Sequence, residues 1–131
     1  MRSTLLSLLA VVLLGSGVAV AHHSPIVFDQ KRTLSITGTV TEFKWGNPHS
    51  WIHLDVKDAD GKVTPWMIEG GSPNSLLRLG FTKNALLPGM EIAVEGYQAK
   101  DGTNKGVGRS LTFADGRKLF LSETTPGAPP K

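Results

Sequence analysis

From residue 34 onward, apolar and polar residues alternate in short runs, which is typical of half-buried β-strands. The clearest run places Ile52, Leu54 and Val56 on one side of an extended chain. Turns rich in Gly, Pro and Asp separate the runs. A break in the alternation before Phe43 predicts a bulge in the first strand. The pattern predicts six strands, over residues 34–45, 49–57, 63–69, 90–97, 107–113 and 117–121.

One short helix is predicted between the third and fourth strands. Ser72 and Pro73 are a typical N-cap and first helical residue, and Gly80 is a typical stop. Three strands, a helix and then two strands is the element order of the OB-fold, a small barrel. A sandwich would give no reason for a capped helix at this place, and a parallel fold would need helices between nearly all strands. The sequence therefore predicts an all-β fold in the main, a five- to six-stranded OB-like barrel with one short helix.

The hairpin between the second and third strands decides which side chains share the outer face of the barrel. A tight turn within residues 58–61 would place Ile52 opposite Met67 on the inner face. Met67 would then be a core residue and not a copper(I) ligand. OB-folds bind ligands on the outer face of these strands. The alternative for this chain is that the N-terminal arm folds back and covers that face. The side chains predicted for that face are His53 and a ligand-binding set: Trp51, Trp66 and Ile68.

The first 21 residues have the features of a cleavable export signal. Arg2 gives a positive start, residues 5–14 are apolar, and Ala19-Val20-Ala21 is a typical cleavage site. Gly and Ser at 15–17 interrupt the apolar run before the roughly 20 residues that a membrane span needs. The predicted organisation is a signal peptide (1–21), an N-terminal arm (22–33), an OB-like barrel (34–121) and a disordered Pro-rich tail (122–131).

Composition narrows the classes of function. The 131 residues include no Cys, which excludes disulfides, thiolate zinc sites and thiol catalysis. The formal net charge is +3 without a basic run, so nucleic acid is not an expected partner, and no membrane contact is expected after signal cleavage. The sequence has no Gly-x-Ser-x-Gly turn, and Ser72 is better explained as a helix cap. We therefore expect a binding protein and not an enzyme.

The four histidines fall in two places, His22-His23 at the predicted mature terminus and His49 and His53 in the second strand. A terminal His can bind copper(II) through its α-amine and imidazole, and one more imidazole would complete a three-nitrogen site. Cleavage two residues earlier would instead create a square-planar chelate at Val20-Ala21-His22. On a strand, His49 and His53 would lie about 13 Å apart. One of them, with His49 the better placed, could therefore join the terminus, but not both.

Several segments of the mature chain match one known family. They are His22–Pro25, Phe28-Asp29, Thr37–Val40, Asn47–Trp51, Glu69–Asn74, Gly96-Tyr97 and Lys100–Gly102. On these segments the chain resembles a family of small exported bacterial proteins catalogued as domain of unknown function 6152. The resemblance implies a single-domain protein in the periplasm of a Gram-negative bacterium, and it implies no particular activity.

Together these observations predict a periplasmic binding protein for a metal ion, with copper as the expected metal. Its candidate ligands are His22, His23, His49 and His53. The alternative is a metal-free module whose Trp51 and Trp66 face binds a small organic ligand, a glycan or a periplasmic partner protein.

Overall fold

The computed structural model describes residues 27–122, of which 54% lie in strands. Within this range no helix is both long enough and apolar enough to cross a bilayer. The elements are β1 (Phe28–Lys44), β2 (Trp51–Lys57), β3 (Val63–Glu69), α1 (Pro73–Arg78), β4 (Glu91–Ala99), β5 (Lys105–Phe113) and β6 (Lys118–Phe120). The helix lies between the third and fourth strands, as predicted.

The strands form one sheet that closes on itself. Their order is β3-β2-β1-β4-β5-β6, with antiparallel neighbours throughout, and β3 also pairs with β5 in parallel. This last pairing closes β1 to β5 into a ring, while β6 extends one side of β5. The long β1 serves two partners, because its residues 33–39 pair with β4 and its residues 39–44 pair with β2. The predicted OB-like barrel is confirmed.

Tertiary pairing sets the bounds of β1. The register with β2 shifts between Val40 and Glu42, which confirms the bulge predicted before Phe43. The start predicted at residue 34 is wrong, because Phe28 already pairs with Ala99 of β4. Residues 28–33 of the predicted arm therefore belong to the barrel wall. The other predicted bounds agree with the structure to within two residues.

The core fills the ring with aliphatic side chains from every long strand. Ile52, Ile68 and Leu111 are fully buried at its centre. Gly106 and Gly108 of β5 leave room for Ile68, since a Cβ at Gly108 would lie 2.8 Å from the Ile68 side chain. The helix α1 adds the buried Leu76 to this core.

The predicted helix cap is also present. The Ser72 side chain accepts a hydrogen bond from the Ser75 backbone N–H at 3.3 Å, which satisfies one of the free donors of the first turn. At the other end Gly80 has a φ of +94°, a conformation that favours glycine after a helix.

The turn between β2 and β3 is one residue longer than predicted. The Asp58 N–H donates to the Lys62 carbonyl at 2.9 Å, so three residues form the loop. Gly61 has a φ of +81° and donates to the Asp58 carbonyl at 3.0 Å, which is the geometry of a three-residue hairpin with a glycine bulge. The Asp58 carboxylate also accepts from the N–H groups of Asp60 and Lys62. The extra residue moves the register by one position.

That shift reverses the predicted orientation of β3. Ile52 lies opposite Ile68, not opposite Met67, and His53 lies opposite Met67. Because successive strand residues point to opposite faces, a slip of one exchanges the inner and outer side chains of a whole strand. Trp66 and Ile68 consequently point towards the core, and Met67 points outward.

Candidate metal and ligand surface

Four side chains define the β2–β3 face on the outside of the barrel: Trp51, His53, Met67 and Glu69. Their strand neighbours Ile52 and Ile68 are fully buried, so the four residues between and beside them point away from the core. All four are half-buried. In the described part of the chain this face brings together imidazole, thioether, carboxylate and indole groups.

His53 and Met67 are direct cross-strand partners on this face. Side chains in such positions have Cβ atoms about 4.5–5.5 Å apart. The His53 Nε2 atom is buried and has no hydrogen-bond partner. A buried nitrogen without a partner is unusual, because most buried polar atoms are hydrogen-bonded. His53 therefore has a nitrogen atom that could bind a metal, and its cross-strand partner Met67 carries a thioether.

His49 is held beside the end of β3 by the loop that leads into β2. The neighbouring Ser50 donates its N–H to the Gly71 carbonyl at 2.9 Å and accepts from the Gly70 N–H at 2.9 Å. These bonds fasten residue 50 to the chain after β3. As a result the His49 Nδ1 atom lies 2.9 Å from the Glu69 Oε1 atom.

The two side chains of the His49–Glu69 contact differ in burial, and each affects the other. Burial raises the pKa of the Glu69 carboxyl, and the nearby His49 lowers it by a smaller amount. The Glu69 side chain is 15% exposed, whereas the His49 side chain is 51% exposed. A carboxylate that accepts from Nδ1–H fixes the tautomer in which Nε2 can bind a metal. The half-exposed His49 side chain could therefore bind a metal through Nε2.

The structure separates the residues predicted for the ligand-binding set. Trp51 lies on the β2–β3 face, but Ile68 is fully buried and Trp66 packs against the core on the other side of the sheet. The three do not form one surface, because the longer turn at Gly61 shifts the register. Met67, expected in the core, takes their place beside His53.

The predicted histidine ligands are only partly within the described range. His22 and His23 lie outside residues 27–122. His49 precedes β2 and contacts Glu69, whereas His53 lies within β2 opposite Met67. Among residues 27–122, no three His, Cys, Asp or Glu side chains lie close enough to form a metal site by themselves.

A second concave site was missed by sequence reasoning. We call it the Arg109 pocket, a cavity of about 430 Å³ outside β4 and β5. It is lined by Val27, Phe28, Gln30, Tyr97, Val107, Gly108, Arg109 and Ser122. The residues come from distant parts of the chain, and two bulges bring them together. The register of β1 with β4 shifts between Phe28 and Thr33, and β5 has one extra residue, Arg109, opposite Glu95 and Gly96.

Comparisons with known proteins give a family and a distant structural likeness. A family model described as a family of unknown function (DUF6152) matches residues 10–109. No curated protein matches the chain. Among solved structures, the mitochondrial single-stranded DNA binding protein of S. cerevisiae is similar, with 17% identity and a TM-score of 0.44. That match covers 66% of this chain and 94% of the yeast protein.

Proposed function

This chain belongs to the family of unknown function DUF6152, and we propose that it is an exported, periplasmic copper-binding protein. His53 and Met67 bind the metal, and the N-terminal histidines His22 and His23 add further nitrogen ligands. His49 would lie about 13 Å from His53 on an extended chain, so it is the alternative imidazole for the N-terminus and not a fourth ligand of the same ion. The observation that carries this proposal is the buried, unpartnered Nε2 of His53 opposite the Met67 thioether.

The donor set selects the metal. Thioether sulfur is a soft ligand that favours copper(I), and imidazole suits copper in both oxidation states. Calcium and magnesium require oxygen ligands, which neither His53 nor Met67 supplies. The long Met67 side chain has several rotatable bonds, so it can move aside to admit an ion to the His53 nitrogen. Copper is therefore the metal that this pair fits.

One nearby cation must be accommodated. Lys105 of β5 is the parallel-strand partner of Met67. Hydrogen bonds from Thr103 lower the pKa of the Asp101 carboxyl, and the charge of Lys105 lowers it by a smaller amount. The loop that precedes Lys105 therefore carries a negative charge.

The predicted mature terminus is long enough to reach the β2–β3 face. The Lys100 N–H donates to the Val27 carbonyl at 2.8 Å, and the loop that follows Lys100 ends where the Asn104 carbonyl accepts from the Met67 N–H at 3.1 Å. Residues 22–26 span up to about 17 Å when extended, which is more than the four residues from Lys100 to Asn104 can span. A chain that leaves Val27 beside Lys100 is therefore long enough to reach Met67, which is bonded to Asn104. His22 would carry a free α-amine after cleavage and could then complete the coordination.

Copper titration of the mature protein tests the proposal. Copper(I) affinity is measured anaerobically by competition with a coloured chelator. We expect His53→Ala and Met67→Leu each to weaken binding about tenfold or more, since each removes a metal ligand. Met90→Leu is the matched control, because Met90 lies outside the face and its sulfur accepts from the Leu87 N–H. Wild-type affinity in both His53→Ala and Met67→Leu would overturn the proposed site.

The contribution of the terminus is measured separately. A His22→Ala, His49→Ala double variant should lose copper(II) affinity, because amine and imidazole nitrogens favour that ion. If the mature protein bound copper(II) no more tightly than this variant, the N-terminal part of the proposal would be wrong. The native mass of the mature protein reports both the cleavage site and the bound metal.

The rival proposal, a metal-free binding module, would need a different surface from the one first expected. Trp51 remains on the β2–β3 face, but Trp66 and Ile68 do not. Its test is the change in Trp fluorescence when a candidate ligand is added in the presence of a chelator. Loss of all binding on chelation would contradict it.

A further inference from the structure

We infer that the indole ring of Trp51 covers the metal ion on the β2–β3 face, and that this contact makes the site selective for soft cations of charge +1, silver(I) as well as copper(I). The inference rests on the proposed copper site at His53 and Met67. It goes beyond that site because it names a third contact of the ion and a second ion that binds. The residues that carry it all lie within the described range.

The register of β2 and β3 places Trp51 next to both proposed ligands. Trp51 and His53 are two residues apart in β2, so their side chains leave the same face about 7 Å apart. Trp51 lies opposite Glu69, two positions from Met67, so Trp51 and Met67 are diagonal neighbours. Diagonal neighbours are about 7–8 Å apart, within reach of aromatic and long side chains. The ring can therefore contact an ion held between His53 and Met67.

Trp51 differs from the other two tryptophans in its surroundings. Trp45 and Trp66 both pack against the core, and the Trp45 ring meets the Phe43 ring edge-on at 5.7 Å. Trp51 is not among the described residues that pack against the core, and it lies half-buried on the outer face. Its ring is thus available to a ligand that binds beside the unpartnered Nε2 of His53.

Copper(I) and silver(I) suit this set of contacts. Both are soft cations of charge +1, which thioether sulfur and imidazole nitrogen can bind. His53 and Met67 supply two donor atoms, which leaves one side of the ion open to the indole. The face of an indole attracts a cation, more strongly than the face of any other aromatic side chain. The ring would also keep water from that side of the ion.

Zinc(II) fits the same contacts poorly. Zinc takes four nitrogen, oxygen or sulfur ligands in a tetrahedral arrangement, and a ring over the ion removes water positions without supplying a donor atom. The strand partners of the face in the described chain include Glu42 and Lys44 of β1 and Lys105 of β5. With Glu69 these are two carboxyl and two ammonium groups. A doubly charged ion therefore meets no excess of negative charge.

Silver titration followed by Trp fluorescence tests the contact with the ring. Silver nitrate is added to the mature protein in a chloride-free buffer, and zinc sulfate is the doubly charged comparison. We expect silver to quench the emission of the wild type, because the ion lies against an indole, and zinc to leave it unchanged. Trp51→Phe should remove the quenching. Trp66→Phe is the matched control that should keep it, since Trp66 packs against the core.

The affinities of the Trp51 variants test the selectivity. Trp51→Leu should weaken the binding of silver(I) and copper(I) about tenfold, and Trp51→Phe should weaken it about threefold, because Phe keeps a weaker aromatic face. Zinc affinity should stay the same in both variants, so the ratio of silver to zinc affinity falls as the ring is lost. A purely structural role for Trp51 would instead lower the affinities for all three ions together, and that result would overturn the inference.

Failure of this inference can be told apart from failure of the copper site. Unchanged emission in the wild type saturated with silver would overturn the inference, and this result requires no variant to fold. Wild-type silver affinity in Trp51→Leu would also overturn it. In both cases weaker copper binding by His53→Ala and Met67→Leu would still support the copper site. Wild-type copper affinity in both of those variants would overturn the copper site and, with it, this inference.

Discussion

The register of the β2–β3 hairpin decides which side chains can meet a ligand, and alanine substitutions at Ile68 and Met67 test it. Ile68 is fully buried against Gly106 and Gly108. Ile68→Ala removes three carbons from a closed site, worth about 0.8 kcal/mol each in transfer free energy. With the cavity that remains, we expect a loss of about 3–4 kcal/mol in the free energy of unfolding.

Met67→Ala should have a much smaller effect. Met67 is half-buried and points outward beside His53, so we expect a loss of about 1 kcal/mol. Both values come from urea unfolding followed by circular dichroism, in which the midpoint moves and the slope stays constant. The shorter turn predicted from sequence would put Met67 in the core and Ile68 at the surface. A larger loss for Met67→Ala than for Ile68→Ala would therefore refute the register and with it the proposed ligand pair.

Three further predictions concern the same barrel. Gly108→Ala should destabilise the protein by about 1–3 kcal/mol in urea unfolding, because the new Cβ would collide with the Ile68 and Leu121 side chains; an unchanged midpoint would contradict the packing described for β5. Ser72→Ala should lower the free energy of unfolding by about 1 kcal/mol through loss of the helix cap, and a neutral result would show that the cap bond does not stabilise α1. Glu69 has a pKa raised above 4.5 by burial, so the wild type should lose stability relative to Glu69→Gln as the pH rises through that raised pKa, where burial penalises the carboxylate; parallel stability curves for the two proteins from pH 4.5 upward would contradict this.

The fold was predictable wherever local signals agree. Alternation in β2 and the Ser72-Pro73 cap depend on residues close together in sequence, and both are confirmed. The position of the helix between the third and fourth strands then limited the possible architectures to the barrel that is observed. These elements are determined by periodicity and capping, which a single sequence contains.

The site was less predictable because it depends on register. Two turns, of two or three residues, fit the Asp58–Gly61 segment, and they differ in whether Gly61 adopts a positive φ. The choice exchanges Met67 for Ile68 on the outer face. Met67 and Ile68 are both apolar, so the hydrophobic pattern does not show which of the two lies on the outer face.

The Arg109 pocket illustrates a second limit. Phe28, Tyr97 and Arg109 are far apart in sequence and meet only because β1 and β5 each depart from regular pairing with β4. These departures depend on pairing between strands that are distant in sequence, so no short window of sequence brings the three residues together. The early start of β1 has the same origin, since Phe28 is extended because Ala99 is available to pair with it.

X-ray absorption spectroscopy at the copper K-edge of the copper(I)-loaded mature protein tests the central claim most directly. The account predicts a sulfur scatterer together with imidazole nitrogens in the first coordination shell, and it predicts that the sulfur contribution disappears in Met67→Leu and persists in the Met90→Leu control. A shell of nitrogen and oxygen alone, identical in the wild type and Met67→Leu, would contradict the assignment of Met67 and His53 as the copper ligands.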